Sequence, residues 1–168
     1  MSSQRSLKVL MICLGNICRS PTAHGVLSTL IERRKLHDFL EVDSAGTERW
    51  HLGETPDKRS ILAAKDRGYD ISNLKARQVS AVDFANFDYL LAMDRNNLRD
   101  LEELCPEEYK GKLCLLLEFG SLSEIDVPDP FYGECSDFEF VLDLVEDACE
   151  GFLEHVVSNN SLSLKIEL

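Results

Sequence analysis

The chain has 168 residues, 44% of them hydrophobic and 29% charged, and its 30 Asp and Glu against 18 Lys and Arg give a formal net charge of −12. Those figures describe one ordinary globular domain spanning 1–168, with a core over about 7–156 and a C-terminal extension at 157–168. The negative charge excludes a general nucleic-acid binder, and no apolar run approaches the ~18 residues that a membrane span needs.

Arg5 and Lys8 precede the apolar stretch Val9 to Leu14, but that stretch is too short for a secretory signal and runs into Gly15, Asn16 and Arg19. The six cysteines are therefore expected as thiols in a cytoplasmic protein, not as a disulfide framework. Charge is uneven along the chain: residues 121–168 hold 12 acidic side chains and one basic one, which reads as a solvated acidic helix face.

Leu7 to Ile12 is a continuous apolar run suited to a buried parallel strand. Ser20 followed by Pro21 predicts a helix start, and Ala23, Val26, Leu27, Leu30 and Ile31 recur on one helix face. Phe39 to Asp43 is a second strand. Thr55-Pro56 repeats the cap-and-proline start, for a helix through Ile61 and Leu62 that Gly68 stops. Ser80 with Asp83 opens a short helix to Asn86. Tyr89 to Met93 is a third strand, Asp94 caps a helix ending before Pro106, and Leu113 to Leu117 is a fourth strand. Ser136 opens the last helix, whose stripe runs from Phe138 to Val156. Strands alternating with helices predict an α/β fold: a single three-layer domain with a four-stranded parallel sheet and helices on both faces. Ligands of such sheets lie at the carboxyl ends of the strands, so the loop opening at Cys13 is the expected site.

That loop, Cys13-Leu14-Gly15-Asn16-Ile17-Cys18-Arg19-Ser20-Pro21, lies between a strand and a helix start, so its backbone N–H groups can form a nest for a tetrahedral anion. Gly15 permits positive φ, and Asn16 tolerates left-handed geometry. Arg19 adds a planar fork that grips two phosphate oxygens. Cys13 at the floor feels the same positive field, which lowers a thiol pKa from about 8.5 toward the ~3.5–7.5 of electropositive sites. A thiolate under a held phosphate is a nucleophile aimed at phosphorus. The leaving oxygen needs a proton, and Asp129, in the stiff loop Val127-Pro128-Asp129-Pro130 after the fourth strand, is the carboxyl placed to give it. Trp50, Phe131, Tyr132 and Leu14 are candidate walls of a slot that admits an aryl phosphate. The scattered histidines form no ligand cluster, so neither a metal nor another cofactor is expected.

CLGNICRSP at 13–21, Ser44-Ala45-Gly46-Thr47, Ala76-Arg77-Gln78, Phe87-Asp88-Tyr89, Ala92-Met93-Asp94 with Asn97, and Asp129-Pro130 occur in an order that resembles the low-molecular-weight protein tyrosine phosphatases, over roughly 7–156. The resemblance implies metal-independent hydrolysis of phosphotyrosine in proteins, and of small aryl phosphates, through a phosphocysteine on Cys13. It implies that Arg19 and the amides of residues 14–19 hold the phosphate, with Ser20 easing departure of the sulfur. It implies support by Asn16, with Ser44 as its partner, and by Asp94. Inorganic phosphate and other oxyanions are the expected inhibitors. The resemblance further implies a reversible, peroxide-formed link between Cys13 and Cys18.

Three positions depart from the family pattern: Leu74 replaces a histidine, Phe131 replaces the first of two tyrosines, and His24 stands where an acid is common. Relatives that act on phosphoarginine carry threonine where this chain has Ile17. Thioredoxin-coupled arsenate reductases share such a loop but need two further redox cysteines in mid-chain, and here none lies between Cys18 and Cys105. A phosphate-docking module without turnover would be expected to lack Cys13 or Asp129; both are present. Leu162, Leu164, Ile166 and Leu168 alternate like an edge strand or dimer contact, though a frayed tail is the plainer expectation.

Overall fold

In the computed structural model, which describes residues 6–159, four parallel strands lie in the order β2-β1-β3-β4. They are β1 (Leu7–Cys13), β2 (Leu40–Gly46), β3 (Tyr89–Ala92) and β4 (Leu113–Leu115). β1 is central, pairing Ile12 with Ala45 on one side and Ala92 on the other. Side chains alternate across a strand, so β1 supplies both cores. Val9, Met11 and Cys13 face one cluster, and Leu10 and Ile12 face the other. Each fully buried aliphatic side chain among them contributes about 1.5–3 kcal/mol of burial free energy.

On the first face pack α1 (Arg19–Arg33), α2 (Lys58–Asp66) and the long α5 (Cys135–Asn159). On the second lie α3 (Ala81–Asn86) and α4 (Arg95–Leu104), which bury Phe84 and Leu101. This is the expected three-layer α/β arrangement. The chain leaves β1 toward β2 on one side and reaches β3 on the other, so strand order reverses at β1 and opens a crevice beyond Cys13. Among the described residues no helix is long and apolar enough to cross a membrane. Leu162, Leu164, Ile166 and Leu168 lie outside the described residues.

Several boundaries differ from those predicted, each for a local reason. α1 begins at Arg19 with Cys18 as its cap residue, so Ser20 is not the cap; its hydroxyl is committed to the loop before the helix. α2 starts after Asp57, not at Thr55-Pro56, because the Asp57 carboxylate accepts the Arg59 N–H at 2.9 Å. Leu62 on that helix is 61% exposed and takes no part in the core. Ser136 lies inside the first turn of α5, where Asp137 receives the Glu134 N–H instead. β2 continues past Asp43 to Gly46, paired throughout with β1. β4 ends at Leu115, and Leu116–Phe119 form a 3-10 turn. The Ser80–Asp83 capping box of α3 and the Asp94 cap of α4 are as expected.

Candidate active site

The β1–α1 loop folds back over the end of its own strand. Asn16 adopts φ +58°, the left-handed conformation that its short amide side chain tolerates. That turn directs the Asn16 backbone N–H at Cys13 Sγ, 3.3 Å away. Ser20 Oγ lies 3.0 Å from the same sulfur and accepts a hydrogen bond from Asn16 Nδ2 at 2.7 Å. A hydroxyl that has received the amide keeps its own hydrogen for the sulfur, with Ala45 O at 3.4 Å a weaker competitor. Asn16 Oδ1 accepts the Arg77 N–H at 3.0 Å, which fixes which way the amide points.

Gly46 lies under this loop. A Cβ there would come within 2.7 Å of Leu14 O and 3.1 Å of Gly15 C, so only glycine lets β2 approach so closely. The chain beyond it is tied to β1 as well, with the Thr47 N–H donating to Cys13 O and the Glu48 N–H to Leu14 O, both at 2.9 Å.

Arg19 is a buried cation with fixed partners. Its side chain is 4% exposed, and Nη1 donates to Asp94 Oδ2 at 2.5 Å and to Val127 O at 3.1 Å. Nη2 is 3.7 Å from Asp129 Oδ2. Burial works against its charge, but Cys13 and Asp94 outweigh that effect and raise its pKa above the ordinary arginine value. Asp129 itself is half-exposed, with Oδ1 accepting the Phe131 N–H at 3.1 Å.

A pocket opens above the sulfur and brings together Cys13, Arg19 and Asp129. Its walls are Leu14, Gly15, Ile17, Cys18, Trp50, His51, Phe131 and Tyr132. Trp50 and Tyr132 are 66% and 96% exposed, so they rim the mouth and leave a deeper wall to Phe131 and His51. Phe131 and Tyr132 meet edge to face, with centroids 4.9 Å apart.

The family whose model covers residues 8–162 of this chain is the low molecular weight phosphotyrosine protein phosphatase. The chain belongs to that family. It is 40% identical over 156 residues to the human low molecular weight phosphotyrosine protein phosphatase, covering 92% of this chain and 98% of that one. It is 39% identical over 155 residues to the protein of the same name from Schizosaccharomyces pombe, covering 90% and 98%. A crystal structure of a protein tyrosine phosphatase from Entamoeba histolytica, with Hepes in its active site, superposes with a TM-score of 0.89 at 40% identity, covering 92% and 99% of the two chains.

Within this low molecular weight phosphatase framework, one sequence-based expectation needs correcting. Ser44 is not the hydrogen-bond partner of Asn16; its hydroxyl pairs with His24 Nδ1 at 2.9 Å, while Asn16 is satisfied by Ser20 and the Arg77 backbone. His24 is partly buried in α1, and that burial lowers its pKa, with Asp43 opposing the effect and Arg77 adding to it. Cys18 is a buried free thiol whose pKa burial pushes up to about 12, against the opposing influence of a Ser60 hydrogen bond. Sequence reasoning missed three contributors. His51 reaches the pocket from a turn with no spacing signal, Gly46 was quoted only as part of a motif, and Arg59 binds the loop of Asp129 across many intervening residues. For Gly46, the signal available was a glycine just beyond the expected strand Phe39 to Asp43; in the structure it closes β2 opposite Cys13.

Proposed function

We propose that this chain removes phosphate from phosphotyrosine in proteins, and from small aryl phosphates, in two displacements at phosphorus. In the first, the Cys13 sulfur attacks phosphorus, the S–P bond forms, and the aryl oxygen leaves with a proton from Asp129. In the second, Asp129 takes a proton from water, the water oxygen attacks phosphorus, and the S–P bond breaks to return the thiolate. Ser20, already at the sulfur, donates to the charge that reappears there. Arg19 and the amides of residues 14–19 hold the equatorial oxygens. With two hydrogen bonds setting its orientation, the guanidinium reaches the phosphate already ordered. Asn16 and Asp94 support this cup.

The observation that carries this reading is the sulfur itself. Cys13 is 3% exposed, at the floor of a pocket also lined by Arg19 and Asp129, with a backbone N–H and a hydroxyl turned toward Sγ. The slot between Leu14, Trp50, Phe131 and Tyr132 suits the reach and flatness of a phenyl phosphate better than a short serine phosphate. Inorganic phosphate and related oxyanions compete for the same cup. Six free thiols support a reducing, cytoplasmic setting.

The decisive experiment assays phosphotyrosine, phosphoserine and phosphoarginine peptides without added metal. Wild-type protein is expected to prefer phosphotyrosine. Cys13→Ser is expected to lose turnover while still binding phosphate; turnover that persists in that variant overturns the nucleophile assignment.

A further inference from the structure

We propose that Arg59 is a positioning residue for Asp129, locking the loop that carries the acid onto the loop that cradles phosphate. The inference rests on the reading of Asp129 as proton donor. Arg59 stands in the first turn of α2 and does not line the pocket. Its Nε and Nη2 donate to the two carboxylate oxygens of Asp57 at 3.0 and 2.9 Å, and Nη2 also donates to Phe131 O at 2.8 Å. The guanidinium carbon sits 4.7 Å from the Phe138 ring centroid and 5.7 Å from that of Phe131.

Both ends of this bridge reach the chemistry. The Asp57 backbone N–H donates to Ile17 O at 2.8 Å, in the phosphate loop. The Phe131 N–H donates to Asp129 Oδ1 at 3.1 Å, so the Phe131 residue is held through its carbonyl by Arg59 and through its amide by the acid. The connection therefore runs Ile17, Asp57, Arg59, Phe131, Asp129. Asp129 needs such an anchor, because its carboxylate is 45% exposed and its ion pair with Arg19 spans 3.7 Å. A half-exposed acid on a loop delivers its proton well only if the loop keeps register with the phosphorus. A lysine cannot do the same work: one ammonium lacks the planar fork that grips Asp57 and stacks between two rings while reaching a carbonyl.

A purely structural role would slow every substrate alike, whereas misplacing a proton donor penalises substrates whose leaving group needs the proton. The test measures kcat/KM for aryl phosphates running from p-nitrophenyl to phenyl phosphate, with Arg59→Met, Arg59→Lys, Asp129→Ala and the Arg59→Met/Asp129→Ala double variant. Arg59→Met is expected to lose about tenfold on phenyl phosphate and less than about twofold on p-nitrophenyl phosphate, with Arg59→Lys between it and wild type. Inhibition by inorganic phosphate is expected to stay unchanged, and the double variant to be no worse than Asp129→Ala alone on phenyl phosphate. Equal losses across the series, or losses that multiply in the double variant, overturn the proposal. Should Arg59→Met not fold, the Arg59→Lys series is judged by the same criterion. A flat series for Asp129→Ala would instead remove the acid assignment underneath, a separate and recognisable failure.

Discussion

Asp94 divides its carboxylate between a helix and a cation. Oδ1 accepts the Asn97 N–H at 2.7 Å and caps α4, while Oδ2 accepts the Arg19 guanidinium at 2.5 Å. The start of α4 thus sets where the anion-gripping side chain stands, and one substitution tests both duties.

Asp94→Asn keeps a good cap and removes the charge facing Arg19. Its stability is expected to fall less than that of Asp94→Ala, which loses the cap, worth ~1 kcal/mol, and leaves a buried cation without its nearest carboxylate, for a total loss of about 3 kcal/mol. Urea denaturation checks the order. Both variants are expected to bind phosphate more weakly, since Val127 O is then the one hydrogen bond left of the two that orient the guanidinium.

Gly46→Ala places a methyl group 2.7 Å from Leu14 O, a backbone atom of the phosphate cup. Overpacking of this kind costs about 1–3 kcal/mol, and here the yielding partner is the cup itself. The inhibition constant for inorganic phosphate is expected to rise in proportion well beyond what the drop in Tm alone suggests. An unchanged constant would show that β2 moves and the loop does not.

The partly buried His24 gives the stability a pH dependence of definite sign. Burial holds its folded-state pKa below the ordinary 6.5, so the unfolded chain binds the extra proton first as pH falls. Its contribution is full above about pH 6.5 and is lost as the pH drops toward the folded value. Comparing urea midpoints at pH 7.5 and 5.5, His24→Gln is expected to lose less stability on acidification than wild type. Asp57, Asp126 and Asp147, whose pKa values are lowered from 3.8, act only at more acidic pH.

Peroxide is expected to join Cys13 to Cys18 slowly. Peroxide oxidises the Cys13 thiolate to a sulfenic acid, and the Cys18 sulfur then displaces its hydroxyl to form the disulfide and water. Because burial pushes the Cys18 thiol up to about 12, little of it is thiolate near neutrality, so the second step should quicken as pH rises. Mass spectrometry of peroxide-treated protein at several pH values measures this, and finding only sulfinic Cys13 throughout would refute it.

Much of this architecture was legible in the order of residues. The apolar runs at β1 and β3 announced their burial, and the capping side chains Ser80, Asp83 and Asp94 marked two helix starts where they stand. The cup was legible because its residues are contiguous, Cys13 through Ser20. Two inferences failed because a side chain had two eligible employers. Ser20 reads as a helix cap, yet a buried sulfur and an amide claim its hydroxyl. Ser44 reads as a partner of Asn16, yet His24 reaches it first, and an Arg77 backbone amide fills the vacancy at Asn16. Contacts of that kind depend on the relative placement of α1, β2 and the segment around Arg77, which local pattern does not encode. Arg59 belongs to the same class, since its bond to Phe131 O exists only once α2 and the acid loop have met.

The route by which Asp129 arrives separates two kinds of damage. After β4 the chain turns back across β3, where the Val127 N–H meets Met93 O, before it delivers the carboxyl. The amides of the anion receptacle are made locally, whereas its proton source is imported over a long detour that also carries Val127 O, one of the two groups orienting Arg19. Injury confined to the stretch beyond Val127 should leave a molecule that still captures the phosphorylated tyrosine and shields it from other enzymes while releasing it only slowly, converting an eraser of the mark into its guardian.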